Sequence, residues 1–93
     1  MTITFQLPGF LRTFAGGARE VRLDVPGRTV EDALRALAER HPGVSSRVLD
    51  EQGAVRRHVN VFVGDLSIRD TGGLETPLRD GSTISLLAAV SGG

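Results

Sequence analysis

Apolar and polar residues alternate at the start of the chain, where Ile3, Phe5 and Leu7 are spaced by Thr4 and Gln6. A period of two is what a strand with one buried face requires, so a first strand is expected here, closed by Pro8-Gly9. Val21, Leu23 and Val25 repeat the pattern against Arg22 and Asp24 and end at Pro26-Gly27. The intervening stretch is rich in turn residues, Gly16-Gly17 among them, and the two strands read as an antiparallel hairpin. The period then lengthens. Val30, Ala33, Leu34, Leu37 and Ala38 fall at i, i+3, i+4, i+7 and i+8, one face of a helix. Thr29 is its expected N-cap. Glu31 and Asp32 occupy the first turn and Arg40 and His41 the last, each sign complementing the helix dipole, before Pro42-Gly43 stops the helix.

Val44, Val48 and Leu49 predict a short helical turn, after which Arg56-Arg57 leads into a third strand, His58-Val59-Asn60-Val61-Phe62-Val63. Gly64-Asp65 turns the chain into a brief fourth strand near Leu66 to Arg69, and Asp70 to Gly81 reads as a loop. The last strand runs from about Thr83 to Leu87, with Ile84 and Leu86 on one face. The order β, β, α, β, β, β makes an α+β fold, a ubiquitin-like β-grasp, with a mixed sheet of about five strands and one main helix packed on one face. Residues 1–87 form this domain. Residues 88–93, Ala88-Ala89-Val90-Ser91-Gly92-Gly93, lack a periodic core pattern and are expected to form a flexible tail.

With 93 residues, 40% of them apolar, the chain fits one small core. Cysteine is absent, which removes disulfides, thiol nucleophiles and thiolate metal sites and makes a reducing compartment, the cytoplasm, the expected location. No apolar run approaches the ~20 residues of a bilayer span, and Met-Thr-Ile-Thr-Phe-Gln carries no basic-then-apolar signal, so no membrane association is expected. Eleven positive side chains match eleven carboxylates, giving phosphate backbones no strong attraction; nucleic acid is not an expected partner. All eleven are arginines. The α-amino group is then the only amine, and the chain cannot be built into lysine-linked polymers of itself.

Side chains that usually catalyse are poorly placed. His41 lies in a helix-stop signal and His58 at a strand start, without HExxH spacing, so no metal site is expected. The serines include no G-x-S-x-G elbow, Gly16-Gly17 and Gly72-Gly73 match no phosphate loop, and Arg56-Arg57 reads as a solvated strand entry. The chain is not expected to be an enzyme by itself, nor to hold a cofactor. Its end is different. At an average glycine usage of ~7%, a Gly-Gly terminus arises in roughly one chain in 200, which points away from chance. Six residues past the last strand reach roughly 20 Å when extended, and residues without Cβ enter channels closed to other side chains. An α-carboxylate is ionised at neutral pH and donates its acyl group only after its oxygen becomes a leaving group. Gly93 is therefore the candidate reactive residue, with Val90, Ser91 and Gly92 as the segment a partner binds. On the sheet, the alternation that turns Val59, Val61 and Val63 toward the helix turns Asn60 and Phe62 outward, and Leu87 is out of phase with Ile84 and Leu86. Phe62 and Leu87 are the candidate docking patch.

The stretches Arg57-His58-Val59-Asn60-Val61-Phe62-Val63-Gly64-Asp65, Ile68-Arg69-Asp70-Thr71-Gly72-Gly73-Leu74, Leu78-Arg79-Asp80-Gly81-Ser82-Thr83-Ile84 and Val90-Ser91-Gly92-Gly93 resemble the ThiS/MoaD family of ubiquitin-like sulfur carriers. The early Leu7-Pro8-Gly9-Phe10-Leu11-Arg12 with Gly16-Gly17 resembles most the cysteine-biosynthesis carriers of the CysO type, although Ser91 stands where Ala is common before the diglycine. The resemblance implies that an E1-like adenylyltransferase of the MoeB/ThiF type uses ATP to adenylate Gly93, and that sulfide or a persulfide then displaces AMP to leave a thiocarboxylate. It further implies attack on an aminoacrylate held by a PLP-dependent cysteine synthase, an acyl shift to an amide, and release of cysteine by a JAMM-type metalloprotease. Two other roles are compatible with such an end: the small subunit of molybdopterin synthase, and a ubiquitin-like modifier conjugated to lysines.

Overall fold

β1 (Thr2–Gln6) and β2 (Glu20–Asp24) pair antiparallel, Thr4 opposite Arg22, in a computed structural model that describes residues 1–89. The link between them is more than the turn expected from its composition: α1 (Gly9–Arg12) runs into a 3-10 turn at Thr13–Ala15. Leu11 and Ala15 are one helical turn apart and both buried. Pro8-Gly9 and Gly16-Gly17 crowd so short a helix that the turn signals dominate its periodicity.

α2 (Val30–Arg40) starts where the sequence places it, because a capping box closes its first turn. Thr29 Oγ1 accepts a hydrogen bond from the Asp32 N–H at 3.3 Å, and the Asp32 carboxylate accepts from the N–H groups of Arg28 at 2.9 Å and Thr29 at 3.1 Å. Gly27, at φ +106°, leaves room for that carboxylate, which a Cβ there would strike. The Arg28 N–H first, then the Thr29 hydroxyl and N–H, hold the Asp32 carboxyl below its ordinary value of 3.8. A lowered folded-state pKa stabilises the protein above the unfolded value, and that stabilisation is lost as pH falls through the folded one. Asp32→Asn is therefore expected to be less stable than wild type at pH 7, with the gap closing below about pH 4. Urea denaturation at several pH values measures this; a gap independent of pH would contradict the assignment.

His41 leaves the helical region, at φ −138° and ψ 71°, because the ring of the proline that follows disfavours helical backbone before it, so α2 ends at Arg40. Pro42, expected only as a stop, also opens the next helix: α3 (Pro42–Val48) has seven residues where a single turn was expected. The Arg47 guanidinium lies 3.4 Å over the Phe14 ring and ties α3 to the 3-10 turn.

The remaining strands are β3 (Val59–Val63), β4 (Leu66–Ser67) and β5 (Thr83–Ala88). β4 is shorter than expected because Ser67 Oγ accepts from the Arg69 N–H at 3.3 Å and starts a 3-10 turn at Ile68–Asp70. The loop that follows is held by Thr76, whose buried hydroxyl donates to the Gly73 carbonyl at 2.6 Å. The strand order is β2-β1-β5-β3-β4, with β5 in the middle, parallel to β1 and antiparallel to β3. This is the mixed five-stranded sheet of a ubiquitin-like β-grasp. Ile3, Phe5, Val59, Val61, Ile84 and Leu86 line its inner face and bury against Leu34 and Leu37 of α2 and Val44 and Val48 of α3. Among the described residues no helix is long and apolar enough to cross a membrane.

β5 goes past Leu87. Val59 pairs with Ala88, and the Ala89 N–H donates to the His58 carbonyl at 2.8 Å. Ala88 and Ala89, assigned to the tail on sequence, therefore belong to the sheet, since two small residues pair through their backbone without any side-chain periodicity. The rest of the expected tail, residues 90–93, lies outside the described residues.

A candidate docking face and the root of the C-terminal segment

Because inner and outer residues alternate, the register fixes what the open face of the sheet displays. β1 contributes Thr4 and Gln6, β5 Thr83, Ser85 and Leu87, β3 Asn60 and Phe62, and β4 Ser67. None carries a charge, in a chain of which 24% is charged. Charged side chains return only on the flanking strand β2, at Glu20, Arg22 and Asp24. Leu87 is 45% exposed, whereas Phe62 is half-buried. Asn60 stands opposite Leu87 and Ser85 opposite Phe62, so the two apolar side chains are diagonal neighbours. The structure thus brings together the two residues singled out as a patch. Beside them Ser85 Oγ donates to Gln6 Oε1 at 3.0 Å, which lowers the cost of drying that pair.

Leu87 also borders an open groove of about 490 Å³ between β1, β5 and the start of β2, walled by Gln6, Pro8, Arg12, Arg19 and Ser85. Arg12 Nε donates to the Leu7 carbonyl at 3.0 Å, which anchors α1 over the same end of the sheet. On its other side α1 carries Phe10, 41% exposed, with its ring centroid 6.5 Å from that of His58. Since the His58 carbonyl holds Ala89, this ring pair flanks the root of the C-terminal segment. Sequence reasoning left out Phe10; the available signal was its four-residue spacing from Phe14. His58, set aside as a catalyst, occupies this root, and His41 sits apart at the junction of α2 and α3.

The other candidates from sequence are placed as follows. Arg56 Nε donates to the Ser46 carbonyl at 3.1 Å and braces α3, while Arg57 is exposed. Among the described residues no three His, Asp or Glu side chains gather as a metal site. Val90, Ser91, Gly92 and Gly93 lie outside the described residues.

Comparison with known proteins bears on the whole chain. Residues 5–93 match the model of the ThiS family. The sulfur carrier protein CysO of Mycobacterium tuberculosis (strain ATCC 25618 / H37Rv) is 35% identical over 95 residues, covering 100% of both chains. Small archaeal modifier protein 1 of Haloferax volcanii is 40% identical over 78 residues, 83% of this chain and 85% of that one. The crystal structure of the Amycolatopsis orientalis BexX/CysO complex contains a chain that superposes with a TM-score of 0.84 at 37% identity, covering 98% of this chain and 99% of that one. These relatives are small carriers and modifiers. The resemblance carried by the second half of the sequence is thereby borne out, and the chain belongs to the ThiS family of ubiquitin-like sulfur carriers and modifiers.

Proposed function

We propose that this chain is a sulfur carrier that works at Gly93, as a co-substrate of partner enzymes and without a cofactor of its own. An E1-like adenylyltransferase of the MoeB/ThiF type supplies ATP: a Gly93 carboxylate oxygen attacks the α-phosphorus, and pyrophosphate leaves. Sulfide then attacks the acyl carbon, a C–S bond forms, the C–O bond to AMP breaks, and Gly93 ends as a thiocarboxylate; where a persulfide attacks instead, a second thiol opens the resulting acyl disulfide, forming a disulfide with the persulfide carrier and releasing the same thiocarboxylate. The ionised sulfur is a soft nucleophile, so a chain without cysteine still delivers sulfur. By its likeness to CysO, the acceptor is a PLP-dependent cysteine synthase, with a JAMM-type metalloprotease releasing the product, all in the cytoplasm. The observation that supports this reading above others is the position of β5. The central strand is paired on both sides, its hydrogen bonds reach Ala89, directly before Val90-Ser91-Gly92-Gly93 in the chain, and the outer face of the strand up to Leu87 is uncharged and suited to docking.

The test is intact mass. Incubated with the activating enzyme, ATP and sulfide, the chain is expected to gain the mass of one oxygen-to-sulfur exchange, localised to Gly93; an unchanged mass would contradict the proposal. The 40% identity to small archaeal modifier protein 1 favours a second reading, in which the same activated terminus is transferred to lysines of other proteins. Conjugates that survive thiol treatment would identify it.

A further inference from the structure

An activated acyl group endangers its own carrier, because a free amine attacks the acyl carbon, forms a C–N bond and expels the leaving group, while the proton passes to water. The best acceptors on a protein surface are lysines. This chain has none: all its cationic side chains are arginines, whose guanidinium stays protonated and offers no lone pair for attack. Hydroxyls remain, but serine and threonine are weak nucleophiles without an adjacent base. The imidazoles of His41 and His58 form only acyl-imidazoles, which water reopens, so the α-amine at Met1 is the one acceptor left that would give a stable product, and the fold holds it. It donates to the Val25 carbonyl at 3.0 Å, lies 3.7 Å from an Asp24 carboxylate oxygen, and belongs to a residue only 9% exposed at its side chain. The next nitrogen, that of Thr2, donates to Asp80 Oδ1 at 2.6 Å.

Geometry adds a second barrier. β1 and β5 are parallel with Thr4 level with Thr83, so Met1 and Ala89 lie at opposite ends of the sheet, about 30 Å apart at ~3.3 Å per residue. Residues 90–93 span at most about 14 Å, roughly half that distance, so the terminus cannot return to its own amine. We infer that this chain is built to be inert toward its own activated terminus: the lysine-free surface and the pinned, distant Met1 amine confine acyl transfer to acceptors on other proteins, one copy at a time. This rests on the reading of Gly93 as an acyl donor, and it adds that neither chains nor rings of this carrier form.

A C-terminal thioester of the full chain, prepared by intein cleavage, tests this without the activating enzyme, so the failure of the inference and the failure of the proposed function are separable. At neutral pH and high protein concentration the wild-type thioester is expected to hydrolyse to the free acid only, read by intact mass. Hydroxylamine in a parallel sample is expected to trap the acyl group as the hydroxamate. Arg57→Lys, which puts an amine on an exposed residue next to His58 at the root of the terminal segment, is expected to give a covalent dimer or a chain lighter than the free acid by one water. A covalent dimer of wild type joined at Met1 would overturn the inference. So would an Arg57→Lys thioester that, like wild type, only hydrolyses.

Discussion

Deletion of Gly92 and Gly93 is expected to abolish thiocarboxylate formation while leaving the melting transition of the domain where it is. The two halves of that expectation have separate physical grounds. Stability comes from the β5 pairings with β1 and β3 and from the buried faces of α2 and α3, all contributed by residues that the deletion leaves in place. Activity needs the carboxylate at the reacting distance inside another protein. Removing two residues shortens the reach by about 7 Å and places Ser91, with a Cβ and a hydroxyl, where a residue without side chain had been. A misplacement of only ~1 Å already lowers a rate by about 100-fold, so no sulfur uptake should be detectable. Intact mass after incubation with the activating enzyme, ATP and sulfide measures the first half, and thermal denaturation the second. A truncated chain that takes up sulfur at the wild-type rate would sink the assignment of Gly93. A truncated chain that melts earlier would show that the terminal residues also pack.

The parts of this molecule that can be read from sequence are those where one pattern dominates a long enough window. α2 shows five apolar positions on one face and a complete capping box, and its start falls on Thr29 as expected. The alternation in β1, β2, β3 and β5 places the inward residues, and with them the outward Phe62 and Leu87, because a period of two leaves no freedom once one face is buried. α1 escaped for the opposite reason: four residues are barely one turn, and the neighbouring Pro and Gly pairs outweigh Leu11 and Ala15. α3 was foreshortened because Pro42 has two meanings, ending one helix and occupying the first turn of another. The end of β5 was misplaced since Ala88 and Ala89 pair through backbone groups that composition does not report. The tail root has the same character. Phe10 and His58 are far apart in the chain, and only the parallel pairing of β1 with β5 carries α1 to the start of β3.

Leu87→Arg is expected to weaken docking of the activating enzyme by ~30-fold or more, corresponding to about 2 kcal/mol. Leu87 is the most exposed apolar side chain on the uncharged outer face among the described residues, and it stands two residues before Ala89, whose N–H the sheet holds through the His58 carbonyl. Covering that face removes water from Leu87 and Phe62 together, a gain that an arginine there replaces with the desolvation of an unpaired charge. The fold should tolerate the change, since the side chain already projects into solvent; its denaturation midpoint should reflect a difference below about 1 kcal/mol. Leu66→Arg is the matching control. Leu66 is more exposed, at 60%, but it pairs with Val63, which pairs in turn with buried Ile84, so it belongs to the opposite phase at the sheet edge. Steady-state activation assays over a range of carrier concentrations separate the two. For Leu87→Arg the concentration at half-maximal rate should rise while the maximal rate holds, the signature of binding energy used equally in ground and transition states. Leu66→Arg should match wild type in both. Equal behaviour of the two variants would mean that the outer face is not the docking surface, and a fall in maximal rate alone would place Leu87 in the delivery of the terminus instead.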